Sequence, residues 1–236
     1  MREKNKKIGF MPVSNEIGMK LPPPRPARSF IPDWYRKADR FIGGKMEIRD
    51  VGGLNKDIKL CVPFLDALMG GYCIELPTSL IVKRDSRGVT FFWHEYPEPI
   101  ENRPKNMAVT LPRPSGHDED LYAWKTVWGV VTPPGYSAIY THPMNRFDLP
   151  FITTSGIMDT DVYSGAGEIP FFLKKDFEGI IEAGTPIVQV FPFKRDAWEH
   201  EILETDNNVL EKKRYLVQRV LFDGYKKLFW QRKQFD

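Results

Sequence analysis

Between Trp124 and Arg195 the apolar runs are short, and each is stopped by Gly, Pro or Asp: "WKTVWGVVTPPGYSAIYTHP", "LPFITTSGIM", "GEIPFFL" and "EGIIEAGTPIVQVFPFKR". The stops come too close together for the helical crossovers that parallel strands require. The spacing therefore predicts a mainly β fold, a compact barrel or sandwich, rather than alternating strands and helices. Twenty prolines in 236 residues act in the same direction. Proline lacks the N–H that a helix interior needs and fits turns and extended segments.

On either side of this core the texture differs. Residues 1–59 read as an extended N-terminal arm. Its "LPPPRPARSF" is a polyproline spacer expected to lie on its own domain, and Pro32 and Asp33 start a short helix with Trp34 and Tyr35 as docking aromatics. The β-rich core domain spans 60–196. It opens with a short helix from Pro63, stopped by Gly70 and Gly71, and continues through Leu80 and Val82 to the polar turn Asp85–Gly88. Residues 97–120 are polar and proline-rich, a long loop or the edge of a barrel. The tail, 197–236, is expected to form amphipathic helices. Its apolar residues fall at Val209/Leu210, Leu216/Val217, Val220/Leu221, Tyr225 and Leu228/Phe229, with Gly224 as a break.

Residues 209–236 carry eight Lys/Arg against three Asp/Glu. Such a segment could meet an acidic partner, nucleic acid or a membrane surface. The favoured reading is a helix whose apolar stripe packs on the β-domain or on another subunit, with Phe229 and Trp230 suited to a subunit contact. A net charge of +3 is too small to imply nucleic acid by itself. Cys61 and Cys73 lack metal-ligand spacing and read as reduced thiols of a cytoplasmic protein. No apolar run is long enough to cross a membrane. His142 and Asp148, with His94, His117 or His200, could be assembled on paper into a cupin-like iron site. No two histidines lie within twenty residues of each other, so His142 reads as an isolated loop histidine and no metal is assigned. Nucleophile elbows and phosphate-binding glycine loops are missing as well.

The pattern richest in chemistry is "SGIMDTDVYSGAGEIPFF". On a strand, residues i and i+2 share a face. Asp159 and Asp161 are then expected to project together, with Thr160 turned away, as a candidate catalytic pair. The alternative is that both carboxylates cap a turn and bond local N–H groups.

Taken in order, "PPGYSAIYTHP", "GIMDTDVYSG" and "AGTPIVQVFPF" resemble the core of the dUTPase and dCTP-deaminase superfamily, whose fold is the β-clip. The resemblance implies a β-clip-like core and a homo-oligomer, with a trimer the usual form. It also implies an aspartate at 159 that orients water, with Asp161 sharing its proton or binding Mg²⁺. Tyr163, Arg146 and Gln189 are the candidate ligand-binding residues. Tyr163 stands one residue beyond the family's tyrosine, and one residue of slip reverses a strand side chain. "THPMNRF" replaces the family's phosphate-binding serine motif, and Pro186 replaces the arginine of its last core strand. That leaves Arg146 and Lys194/Arg195 to meet a triphosphate, whose charge must be neutralised before water can attack. The expectation is therefore a non-catalytic binding or assembly protein on a dUTPase-like fold. The alternative is a nucleotide pyrophosphatase that uses Asp159, with Mg²⁺.

A longer set, "IPDWYR", "CVPFLDALMGGYCIELP", "TPPGYSAIYTHPMNR" and "GIMDTDVYSGAGEIPF", is similar to a family of hypothetical proteins from tailed phages and bacteria. That resemblance implies a phage-encoded chain in the host cytoplasm or the virion, with a virion or host protein as a further partner.

Overall fold

The computed structural model describes residues 6–49, 53–103, 107, 110–204, 206–217 and 223–236. The fold is mainly β, with every strand pairing antiparallel. Strand β1 (Gly9–Pro12) pairs with β8 (Trp128–Val131). Helix α1 (Asn15–Lys20) follows, its first turn capped by the Ser14 hydroxyl, which accepts from the Ile17 N–H at 3.3 Å. Ile17 and Leu21 cover Val127 and Trp128. The proline-rich segment then runs into β2 (Arg25–Pro26), which lies along β3 (Tyr72–Glu75).

Two short helices flank the domain. In α2 (Asp33–Lys37), Tyr35 is buried and stacks on Phe64 of α3 (Val62–Met69), ring centroids 5.8 Å apart. Pro63 sits in the first turn of α3, and Gly70 and Gly71 end the helix. Gly71 has φ 68°, and a Cβ there would lie 2.2 Å from the Val190 carbonyl oxygen. Only glycine lets the helix end rest this close to β14 (Pro186–Lys194).

Besides the β1–β8 pair, the strands form three sheets. The largest runs β11 (Gly156–Met158), β9 (Tyr136–Thr141), β14, β3, β2. A second runs β10 (Phe151–Thr153), β12 (Glu168–Leu173), β7 (Tyr122–Lys125), β6 (Ile100–Asn102). The third runs β13 (Gly179–Ile181), β4 (Leu80–Asp85), β5 (Gly88–Phe92). Each sheet keeps two free ends, so the short-run pattern is realised as open sheets and not as a closed barrel. Strand β6 occupies part of the expected 97–120 loop, pairing with β7 at the sheet edge.

One apolar core joins these sheets, and Trp124 is its centre. The indole lies flat on Phe171 at 3.7 Å between centroids and meets Phe151 edge-on at 4.8 Å. A buried indole N–H needs an acceptor. It donates to the Thr153 hydroxyl at 3.1 Å, and that hydroxyl donates to the Ile187 carbonyl at 2.7 Å. The carbonyl is available because β14 breaks register between Pro186 and Val188. The relay thus links the β10 sheet to the β14 sheet.

Both cysteines are free, and burial pushes the Cys73 thiol up to about 12. No helix among the described residues is long and apolar enough to cross a membrane. In the tail, residues 196–204 form neither helix nor strand, which corrects the helical expectation at its start. Helix α4 (Asn207–Tyr215) begins only where Asp206 caps it, its carboxylate accepting from the Val209 N–H at 3.2 Å. Helix α5 (Gly224–Leu228) follows, and Val220 and Leu221 lie outside the described residues. The chain then returns to the domain. Trp230 and Lys233 both donate to Asp66, at 2.8 and 2.7 Å, and the Phe235 ring packs edge-on against Tyr72 and Phe191.

The Thr153→Val variant keeps the shape of the side chain while stranding the Trp124 N–H and the Ile187 carbonyl. We expect a loss of about 2–6 kcal/mol, since each of the two buried groups left unpaired costs about 1–3 kcal/mol. Urea unfolding measures it, and an unchanged midpoint would contradict the relay.

Candidate functional site

The two aspartates meet at the end of the largest sheet, where three segments converge. The first is the turn Pro133–Tyr136 at the start of β9, in which Gly135 has φ 82°. The second is the end of β14, whose pairing with β9 closes at Lys194 and Tyr136. The third is the turn that follows β11. Arg195, the residue after β14, ties all three together. Its backbone N–H donates to the Gly135 carbonyl at 2.9 Å. Its guanidinium grips Asp161 with two nitrogens, Nη1 to Oδ1 at 2.8 Å and Nη2 to Oδ2 at 2.5 Å. Nη1 also lies 3.2 Å from Asp159 Oδ1 and 3.0 Å from the Ser137 hydroxyl. The Ser137 hydroxyl donates to Asp159 Oδ1 at 2.7 Å, and the Gly135 N–H donates to Asp161 Oδ2 at 2.8 Å.

The two carboxylates are unequal. The Asp161 side chain is 6% exposed and that of Asp159 is 61% exposed. The Arg195 hydrogen bonds, reinforced by the Gly135 N–H, pull the Asp161 carboxyl down to about 2, against the pull of desolvation.

Strand alternation does not bring the pair together. Strand β11 ends at Met158, and the chain then turns, with the Val162 and Tyr163 N–H groups both donating to the Asp159 carbonyl at 3.1 and 2.9 Å. Thr160 points away from the carboxylates, as expected, but into the protein. It is buried, and its hydroxyl lies 2.7 Å from that of Thr132. The Thr132 hydroxyl donates to the Tyr136 carbonyl at 3.1 Å, so Thr160 is the donor between the two threonines. Outside the turn, Ile157, Val162 and Tyr163 are exposed. The Tyr163 ring lies over Gly165, where a Cβ would come within 2.8 Å of it.

Arg146 and Gln189 lie elsewhere and are engaged. Arg146 makes a bidentate pair with Asp148, at 2.9 and 2.8 Å, and donates to the Phe30 carbonyl at 3.2 Å. Gln189 is buried on β14. Its amide nitrogen donates to the Ala67 and Gly70 carbonyls at the end of α3, at 3.0 and 2.6 Å, and its oxygen accepts from the Met144 N–H at 2.7 Å. A helix end leaves such carbonyls without partners of its own. His142 accepts from the Thr153 N–H at 3.3 Å and donates to the Arg146 carbonyl at 3.0 Å. Those roles place its proton on Nε2, and burial lowers its pKa. Among the described residues, no three His, Cys, Asp or Glu side chains converge as a metal site.

A hollow of about 280 Å³ is lined by Leu21, Pro24, Leu76, Pro77 and Trp128. Another of about 400 Å³, lined by Lys6, Lys7, Tyr72 and Asp236, shares its lysines with one of about 140 Å³ that reaches Thr132, Pro133 and Tyr136 in the first turn of the site. The carboxylates are legible in the sequence; Ser137 and Gly135, which organise them from 22 and 26 positions away, are not. Arg195, which the sequence leaves open to a phosphate, engages both carboxylates.

Because the folded-state pKa of Asp161 is depressed, its ion pair stabilises the fold above the ordinary carboxylate value of 3.8 and is lost as pH falls toward about 2. We expect wild type to be more stable than Asp161→Asn at neutral pH, with the difference shrinking from about pH 4 to about pH 2. Denaturant unfolding across that range measures it, and a gap independent of pH would exclude the ion pair as its source.

No family model matches this chain, and no curated protein matches it. Parts of the chain are similar to solved structures. A mutant dUTPase from phage phi11 of S. aureus, studied for its structural Mg(II) ion, aligns at TM-score 0.27 and 13% identity, over 47% of this chain and 98% of that one. A mutant dUTPase of Staphylococcus bacteriophage 80alpha with dUpNHpp aligns at 0.30 and 15%, over 58% and 76%. A further phi11 dUTPase structure aligns at 0.25 and 14%, over 47% and 97%. At these values the likeness assigns neither a family nor an activity to this chain.

Proposed function

We propose that this chain is a non-catalytic binding or assembly protein in which Asp159 and Asp161 secure a turn instead of running a reaction. The Arg195 fork carries this reading. A general base must present a lone pair to the proton it takes. Both oxygens of Asp161 are already engaged, by the guanidinium and by the Gly135 N–H. A Mg²⁺ ion at the pair would face the guanidinium, bound at 2.5–3.2 Å to the same oxygens. The donor set therefore does not fit a divalent cation. Arg146 and Lys194, the other cations proposed to meet a phosphate, are paired with Asp148 and Asp196. Likeness to tailed-phage proteins supports a phage-encoded component, acting in the host cytoplasm or the virion with copies of itself or with another virion or host protein.

One observation favours a second reading, a nucleotide pyrophosphatase. Asp159 is largely exposed, and its bonds are made through Oδ1, which leaves Oδ2 facing solvent. A water held there would be the nucleophile.

The test is release of pyrophosphate or phosphate from a panel of deoxynucleoside triphosphates with Mg²⁺, comparing folded wild type with Asp159→Asn. We expect no release above background from either protein. Turnover of one nucleotide by wild type, abolished in the variant, would overturn the assembly reading and establish the second one.

A further inference from the structure

After Arg195 the chain leaves the β-domain, and at Trp230 it returns. Both ends of this excursion are anchored, one by the fork on Asp161 and the other by Asp66, with Arg28 donating to the Phe235 carbonyl at 2.9 Å. Between the anchors the described residues are largely exposed. Trp198 is 88% exposed, Ile202 93% and Leu203 73%. Helix α4 has no buried residue, and Val209, Leu210 and Tyr215 are exposed on it. Single exposed apolar residues are ordinary, but a run of them close together marks an interaction surface.

Charge identifies what covers it. Residues 196–206 hold Asp196, Glu199, Glu201, Glu204 and Asp206 with no Lys or Arg. The limb that follows, residues 207–236, holds eight Lys/Arg, among them Lys212, Lys213, Lys226 and Lys227, against Glu211, Asp223 and Asp236. Asp196 pairs with Lys194, and Lys233 with Asp66. Glu199, Glu201 and Glu204 on one limb, and Lys212, Lys213, Lys226 and Lys227 on the other, make no ion pair among the described residues. The two limbs carry opposite charge and the same kind of exposed apolar side chain. A polyanion such as a nucleic acid or an anionic membrane would attract the basic limb and repel the acidic one. A second copy of this chain offers a complement to both.

We infer that the protein associates with copies of itself through this excursion, the acidic limb of one copy lying on the basic limb of another. Trp198, Ile202 and Leu203 are buried in the contact against Val209 and Leu210 of α4. The flanking charges set partner and register more than they set affinity. When each copy both gives and receives a limb, the assembly closes as a ring or reciprocal dimer if the rotation between copies closes, and extends as a filament if it does not. This deepens the assembly reading and rests on it for its use, while the association is measured independently of catalysis.

The experiment is a charge swap in the full chain, read by sedimentation and by light scattering after size exclusion. One variant carries Glu199→Lys, Glu201→Lys and Glu204→Lys, and the other carries Lys212→Glu, Lys213→Glu, Lys226→Glu and Lys227→Glu. Wild type is expected to be oligomeric, weakening as salt screens the limbs. Each variant alone is expected to be monomeric with an unchanged circular dichroism spectrum, and an equimolar mixture to recover a mixed oligomer. A wild type that stays monomeric, variants that self-associate as wild type does, or a mixture that fails to pair would each overturn the inference. So would wild type that binds anionic vesicles or duplex DNA but not itself. Nucleotide turnover alongside a successful swap would remove the assembly reading of function and leave the association standing.

Discussion

The bond that the rest of the structure leans on is the two-step relay from the Trp124 indole through the Thr153 hydroxyl to the Ile187 carbonyl. An aromatic core can pack in several ways, because apolar contact has little direction. The relay removes that freedom, since the Thr153 hydroxyl must accept from the indole and donate to the carbonyl at the same time. It sets where β14 lies against β10, and much else is attached to β14. Gln189 closes the end of α3, Val190 meets Gly71, and Arg195 gathers the turns beyond the strand. Structural organisation in this protein is concentrated along one strand.

The aspartates are a case in which residue type and spacing admit two chemistries, and the neighbours hold the information that separates them. Two carboxylates side by side repel each other unless a proton, a metal or a cation stands between them. Here a guanidinium does, with geometry suited to a flat bidentate contact. The group that removes the repulsion also engages both oxygens of Asp161.

Much of the architecture could be read from the chain. The short runs between Trp124 and Arg195 are strands, and the stops between them are turns, because turn residues and β-formers act locally. Pro63 and Gly70 bracket α3 for the same reason. Helix content in the tail was legible from its apolar spacing, but its start was not, since the cap at Asp206 overrides the wider pattern. The partners of Asp161 were out of reach. Arg195 lies 34 positions away and Gly135 lies 26, and no local period connects them. Gln189 looked like a ligand residue because a buried amide and a binding amide have the same sequence signature. What distinguishes them is whether a helix end is waiting above the strand, and that depends on how the chain folds back.

Gly71 carries a consequence for how such a chain can vary over time. Its positive φ and the 2.2 Å that would separate any Cβ from the Val190 carbonyl are independent obstacles. Relieving one leaves the other in place. A descendant could not drift through this position one substitution at a time. It would first have to lift α3 from the sheet and break both bonds from Gln189 to the helix end. Position 71 is in that sense a lock on the history of the fold, held shut by an atom that is not there.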